Sequence, residues 1–535
     1  ENSMLSRILG STAMLASLAV AAPAAADTTL HLLHINDLHS RIQPINRFDS
    51  TCSAEDDAAG ECFGGVARVA TAINTLRGEL EEAGENVLVL DAGDQFQGSL
   101  MYTTYKGDVE AEFMEAIGFD VMAVGNHEFD DGPENLARFV EMTSFPIISG
   151  NLDLSQSNVL TDEMIPDHVV LDVNGVQVGI VSALAVDTAE TSSPGPSIIF
   201  QDEIEALQAD VDALTEQGVN IIIALTHVGL PQDIRIAEGV SGIDVIVGGH
   251  SHTYLSSSDP DRAGAYPTMA TNPDGAFVPI VQAYAYSKYL GHLEVTFDDD
   301  GNVVYASGDT MVLDASVTPD PDIAARVAEL GGPIEEAMSV VIGESSEVID
   351  GSRETCRAME CPMGNLVADA MLERVREQGI DVAIQNGGGL RATIDAGEVT
   401  MGEVFTVLPF QNTLATFQLT GAGIIEALEN GVSAVEEGAG RFPQVSGMSY
   451  TYDPAAEPGS RIVSVEIGGA PLDPEATYGV VSNNYMRGGG DGYASFTTAE
   501  NAYDFGPGLE QVVADYISEA GTYEPYTDGR ITAVE

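Results

Sequence analysis

The chain has 535 residues, with 20 Lys and Arg against 84 Asp and Glu, so its net charge is −64. A hydrophobic content of 44% supplies cores for about two to four domains and excludes a disordered acidic tail. The lack of a basic face excludes nucleic-acid and anionic-membrane binding, and the near-absence of lysine (only Lys106 and Lys288) reads as the solvated acidic surface of a halophilic or marine secreted protein.

Residues 1–26 predict a secretory leader: Met4 as start, Arg7 as the positive region, Ile8 to Val20 as a short apolar core, and cleavage after Ala26. That run is short for a membrane span, and residues 528–535 lack the apolar tail of a glycolipid anchor. The expectation is a periplasmic or secreted protein, free of the membrane after cleavage, acting as a monomer or homodimer. The four cysteines fall in two local pairs, so in an oxidising compartment the favoured bridges are Cys52–Cys62 and Cys356–Cys361.

From residue 30 onward short apolar runs alternate with amphipathic stretches. Leu30–Ile35, Val87–Leu90, Val121–Val124, Ile221–Leu225 and Val245–Val247 read as buried strands. Segments 66–84, 108–117, 133–142 and 201–217 read as helices, which makes an α/β pattern. Asp298 to Asn302 reads as a hairpin turn, because the later ligand positions of a calcium loop are missing. A Pro-rich break and an Ala/Glu-rich run predict a linker helix over 318–340. A second α/β region follows, with strands at Asp381–Ile384 and Val480–Ser482 and its own Gly-rich loops. The expected division is 27–317, 318–340 and 341–535.

Each of the five N-terminal runs is followed by Asp, Asn or His: Asp37 and His39; Asp94; Asn126, His127 and Asp130; His227; His250 and His252. Ligand sites in open α/β sheets form at the carboxyl ends of strands, so these side chains are expected to converge. Asp37 and His39, two apart, would point to one side in extended backbone, as would His250 and His252. Convergence of oxygen and nitrogen donors without thiolates asks for divalent metal and suits zinc, manganese or cobalt alike. Asp94 is the natural bridge, since a carboxylate offers one oxygen to each of two ions. Five of the nine histidines fall in this set; His31, His34, His168 and His292 read as structural or surface residues.

The set Asp37-x-His39, Gly93-Asp94, Gly125-Asn126-His127-Glu128, Thr226-His227 and Gly249-His250-Ser251-His252 resembles the calcineurin-like dimetal phosphoesterases, in the order of the secreted 5′-nucleotidase / UDP-sugar hydrolase family. The resemblance implies a four-layer α/β/β/α metal domain joined by the linker helix to a smaller α/β substrate-binding domain. It implies one metal held by Asp37, His39, Asp94 and His252, a second by Asp94, Asn126, His227 and His250, and a catalytic dyad of His127 and Asp130. Two metals about 3.5–4 Å apart lower the pKa of a bound water and clamp phosphoryl oxygens, so the implied reaction is hydroxide attack on the phosphorus of a nucleoside 5′-monophosphate.

In the second half, the segments around Arg357 and around Asn386, Gly388 and Arg391 resemble the family's phosphate-side loops, with forked donors for phosphate. Phe410 and Tyr485 match its two base-stacking aromatics, Asn412 lies beside the first, and Asp491 matches the acceptor for ribose hydroxyls. Hydrolysis of UDP-sugars, dinucleotides or 2′,3′-cyclic nucleotides on the same scaffold is the alternative. A non-catalytic exported nucleotide- or metal-binding protein is the alternative of another class. Hinged rotation of the two domains is also implied.

Overall fold

The computed structural model describes residues 27–534, apart from 48, 50, 51, 187, 193 and 505, so the leader expected at 1–26 lies outside the described residues. The N-terminal half builds two six-stranded sheets. The first runs, in spatial order, Val303–Val312, Tyr289–Phe297, Thr28–Ile35, Asn86–Asp91, Val121–Ala123 and Ile147–Ile148. The second runs Thr268–Thr271, Phe277–Val281, Val245–Val247, Ile221–His227, Val176–Leu184 and His168–Val173.

The continuous apolar runs arise because both faces of these strands are buried. Leu30 and Leu32, Leu88 and Leu90, and Val121 and Ala123 pack between the sheets with Ile221, Ile223 and Leu225. The alternate residues Leu33, Ile35, Val89, Met122 and Val124 face helices Val66–Glu82, Asp108–Ile117 and Gly132–Glu141. On the far side, Ile222 and Ala224 face helices Glu203–Glu216 and Leu230–Gly239. The order is therefore helix, sheet, sheet, helix. Parallel pairing of Thr28–Ile35, Asn86–Asp91 and Val121–Ala123, and of Val176–Leu184, Ile221–His227 and Val245–Val247, turns the carboxyl ends within each set the same way.

The turn at Asp298 forms as expected: its carboxylate accepts from the backbone N–H of Asp300 and Asn302 between two antiparallel strands. The expected linker helix spans Pro321–Met338. Pro321 sits in its first turn, where no intrahelical N–H is needed, and Asp320 caps the N–H groups of Asp322 and Ile323. Val327 and Leu330 press it onto the N-terminal core.

Beyond it, a five-stranded sheet runs Pro443–Ser446, Val382–Asn386, Thr477–Asn483, Leu414–Thr420 and Glu500–Tyr503. Ala383 and Val481 face one core, which includes helix Pro362–Val375; Val382, Ile384 and Val480 face the other, which includes helix Gly421–Val432. Cys52–Cys62 and Cys356–Cys361 are both disulfides. Among the described residues no helix is long and apolar enough to cross a membrane.

Candidate active site

The carboxyl ends of five strands, three from the first sheet and two from the second, meet at one place. Strand Thr28–Ile35 delivers Asp37 and His39, Asn86–Asp91 delivers Asp94, and Val121–Ala123 delivers Asn126 and His127. Strand Ile221–His227 ends in His227, and Val245–Val247 leads into His250 and His252. Three sets of ligand atoms gather within 4.8 Å: Asp37, His39 and His252; Asp94, His227 and His250; and His39, Asp94 and His127. Asn126 joins the second set, with its Oδ1 3.2 Å from His227 Nε2 and 2.9 Å from His250 Nδ1. Asp94 reaches both sides: its Oδ2 stands 3.1 Å from His227 Nε2 and 3.7 Å from His39 Nε2.

One expectation fails. Asp37, His39, Asp94, His250 and His252 are not in extended backbone; their φ values are 51°, 49°, 61°, 75° and 50°, all left-handed. The chain turns sharply just past each strand, and backbone bonds hold the turns: Asp37 N–H donates to Gly93 O and His39 N–H to Asp94 O, both at 2.9 Å. The pairs therefore converge by turn geometry, not by strand alternation. Left-handed φ at non-glycine residues costs about 1 kcal/mol or more each, and such strain clusters at functional sites.

The donor set fits divalent metal. Its atoms are carboxylate and amide oxygens and imidazole nitrogens. His227 Nδ1 lies 2.7 Å from Ala92 O and His39 Nδ1 3.2 Å from Phe96 O, which turns each Nε2 inward. Burial works against charge throughout, yet His252 and His227 hold the Asp37 carboxyl down to about 2. Burial also opposes a proton on His227, but Asp94 and Asp37 outweigh it and raise that imidazole to about 10. The Asp94–His227 side thus draws positive charge, while burial, with His252 and His127, lowers His39 to about 3 and keeps it the neutral imidazole a metal needs.

Beside it, His127 Nδ1 lies 2.6 Å from Asp130 Oδ2, and Ser192 Oγ donates to Asp130 Oδ1 at 2.7 Å. Burial disfavours the imidazolium, but Asp130 and Asp94 prevail and raise His127 to about 9. Glu128, quoted in the motif without a role, carries the whole turn: its carboxylate accepts from the backbone N–H of Asp94, Gln95, Phe96 and Gly125.

The C-terminal candidates line a cleft of 620 Å³ that His252 also lines. All eight are there: Arg357, Asn386, Gly388, Arg391, Phe410, Asn412, Tyr485 and Asp491. Asn386 Nδ2 donates to Asp491 Oδ2 at 2.7 Å, and Tyr485 Oη donates to Asp491 Oδ1 at 3.0 Å. The Arg391 guanidinium lies over the Phe410 ring, 5.5 Å from its centroid. Gly388 meets Gly440 backbone to backbone; a Cβ there would stand 2.8 Å from Gly440 Cα. Sequence reasoning missed the N-terminal wall of the cleft, which includes Arg41, Tyr284 and Tyr286. Of the other histidines, His34 is buried against Tyr266, His31 against His292, and His168 faces Asp210.

A family model described as calcineurin-like phosphoesterase matches residues 30–254, and one described as 5′-nucleotidase, C-terminal domain, matches 341–498. Snake venom 5′-nucleotidase of Gloydius brevicauda is 37% identical over 98% of this chain and 91% of its own. The chain belongs to the 5′-nucleotidase family. Among solved members of this fold, the 5′-nucleotidase precursor of Thermus thermophilus is 39% identical, covers 95% of this chain and 99% of its own, and superposes with a TM-score of 0.64. The Haemophilus influenzae NAD nucleotidase is 26% identical, covers 96% and 100%, and superposes with a TM-score of 0.73. The chain is thus a 5′-nucleotidase relative whose two matched segments each contribute one part of the site described above.

Proposed function

We propose that the chain removes phosphate from nucleoside 5′-monophosphates. One observation carries this reading: a single cleft of 620 Å³ joins His252 of the carboxylate–histidine cluster to Phe410, Tyr485, Asp491 and two arginines. Two divalent cations (zinc, manganese or cobalt) held by Asp37, His39, Asp94 and His252 and by Asp94, Asn126, His227 and His250 would polarise phosphoryl oxygens and acidify a water. Arg357 and Arg391 bind the phosphate with planar forked donors. Phe410 and Tyr485 hold the base, at about 1–3 kcal/mol per stacked face. Asp491, oriented by Asn386 and Tyr485, accepts from the ribose hydroxyls. His127, held by Asp130, carries a proton toward the leaving ribose oxygen. The 2.6 Å dyad supports turnover over passive binding. The two disulfides support an exported protein, periplasmic or secreted. We also place the working division at 27–317, 318–340 and 341–535, with rotation about the linker helix opening and closing the cleft.

The likeness to NAD nucleotidase favours a second reading, cleavage of a pyrophosphate bond. Product analysis on AMP, UDP-glucose, NAD and 2′,3′-cyclic AMP decides between the two. Release of inorganic phosphate from AMP as the fastest reaction is the expected result. AMP left intact while NAD is split to two mononucleotides would replace the first reading by the second.

Phe410→Ala and Tyr485→Ala should each raise KM for AMP by about tenfold or more and leave a small aryl phosphate within about twofold, since that substrate has no base. Equal losses on both substrates would make these rings packing residues. Salt should act in an unusual direction. At −64, the molecule repels an anionic substrate at low ionic strength, and screening sets in over about 8–10 Å near physiological salt. Both kcat/KM and thermal stability should therefore rise as salt is added at fixed metal. A monotonic fall in both quantities would contradict a halophilic surface.

A further inference from the structure

Three guanidinium groups line the cleft of this strongly acidic chain. Arg357 and Arg391 come from the C-terminal half and have a task in binding phosphate. The third, Arg41, comes from the other side, two residues after His39, and the reaction above gives it none. Its Nη1 donates to Gln411 Oε1 at 3.2 Å, which joins the metal-ligand loop to the residue that follows Phe410. Its guanidinium lies over the Tyr286 ring, 5.0 Å from the centroid. That ring in turn sits 5.7 Å from the His39 ring and 5.2 Å from the His252 ring. A planar cation with several donors suits both contacts at once, stacking on one residue while hydrogen-bonding another.

The surroundings are built to hold this arginine. Gly98, at φ +118°, leaves the space: a Cβ there would stand 2.8 Å from His39 O and 3.2 Å from Arg41 Nη1. Gln411 and Tyr286 are both left-handed, at φ 53° and 62°, and so are Tyr284 and Ser287 on either side of Tyr286. Acids from both halves face Arg41: Asp49, already bonded to Tyr284 and Lys288, and Glu510 at the start of helix Leu509–Ala520. Arg41 Nε and Glu510 Oε2 are buried atoms without hydrogen-bond partners among the described residues. Polar atoms left unpaired on both sides of the boundary leave room for a further contact there.

Resting on the nucleotide reading above, we propose that Arg41 is a positioning residue whose link to Gln411 couples occupancy of the Phe410 face to the seating of the metal-ligand loop. Base recognition and the phosphoryl site then come together in the closed form. A substrate without a base reaches the metal side without using the link.

The test uses Arg41→Ala and Gln411→Ala, singly and together, with Gln411→Glu as the conservative variant that keeps an acceptor oxygen. Each single alanine variant should lose about tenfold in kcat on AMP and less than about twofold on p-nitrophenyl phosphate, and the double variant should lose no more than the worse single one. Gln411→Glu should stay within about twofold of the unmodified protein on both substrates. Small-angle scattering gives a readout apart from turnover. With a non-hydrolysable phosphonate analogue of AMP in EDTA, the unmodified protein should contract and Arg41→Ala should not. Equal losses on both substrates, losses that multiply in the double variant, or full contraction of Arg41→Ala would overturn the proposal. The nucleotide reading is tested separately by the unmodified protein's own turnover; if that protein prefers NAD or UDP-glucose, that reading falls and the same ratios are read on the preferred substrate.

Discussion

Asp94→Ala should empty both metal positions and lower turnover by on the order of a thousandfold or more, since several kcal/mol of phosphoryl stabilisation goes with the ions. The expectation comes from where the carboxylate stands: its Oδ2 is 3.1 Å from His227 Nε2 and 3.7 Å from His39 Nε2, so one residue serves both sets. Its Oδ1 also accepts from the backbone N–H of His127 at 2.9 Å. Asp94→Asn keeps an oxygen for that N–H and removes only the charge. It should melt close to the unmodified protein and still fail to hold two ions, which separates loss of metal from loss of fold. Metal content per chain by mass spectrometry is the measurement. Two tightly held ions in Asp94→Asn would remove the bridging role.

His127→Ala should keep both ions and lose about a hundredfold to ten-thousandfold in kcat on AMP, the range for a positioned acid or base. Asp130 and Ser192 orient this imidazole through bonds of 2.6 and 2.7 Å, so Asp130→Asn should lose activity in the same direction by a smaller factor. The loss should shrink on p-nitrophenyl phosphate, whose leaving group departs without a proton. Equal losses on both substrates would assign His127 to charge stabilisation on the phosphoryl oxygens. Because His127 also lies within 4.8 Å of ligand atoms of His39 and Asp94, the ion count matters here too. One ion instead of two would move His127 into the coordination set.

The strands were legible because they are buried on both faces: residues such as Leu88 and Val89 pack into different cores, so the run Val87–Leu90 has no polar interruption until the strand ends, and only His31 and His34 break the run in Thr28–Ile35. The candidate ligands were legible for the complementary reason, since Asp, Asn and His begin where apolar packing gives way to buried polar side chains. The backbone at those ends was not. Nothing in Asp37-Leu38-His39-Ser40 marks a left-handed turn, because the usual marker is glycine and here the residues are fixed by their chemistry. The N-terminal wall of the cleft stayed hidden for another reason. No motif or apolar run singles out Tyr284 to Lys288, and only the folded chain brings Tyr286 beside His39, over two hundred positions away. Arg41 has a signal in hindsight, as a lone cation two places after a ligand in a chain that has few.

The left-handed ligand residues also set two kinds of selection against each other. At His39, His250 and His252, glycine would relieve about 1 kcal/mol or more of backbone strain per position when no metal is bound, so the empty fold favours losing these candidate ligands, whereas Asp37 and Asp94 also hold the backbone N–H groups of His250 and His127. A library of variants screened only for heat resistance in the presence of a chelator should therefore accumulate glycine at these three positions, and its hardiest members should be inert. Improvement by that route has to be scored on turnover from the first round, or carried out at sites far from the strand ends.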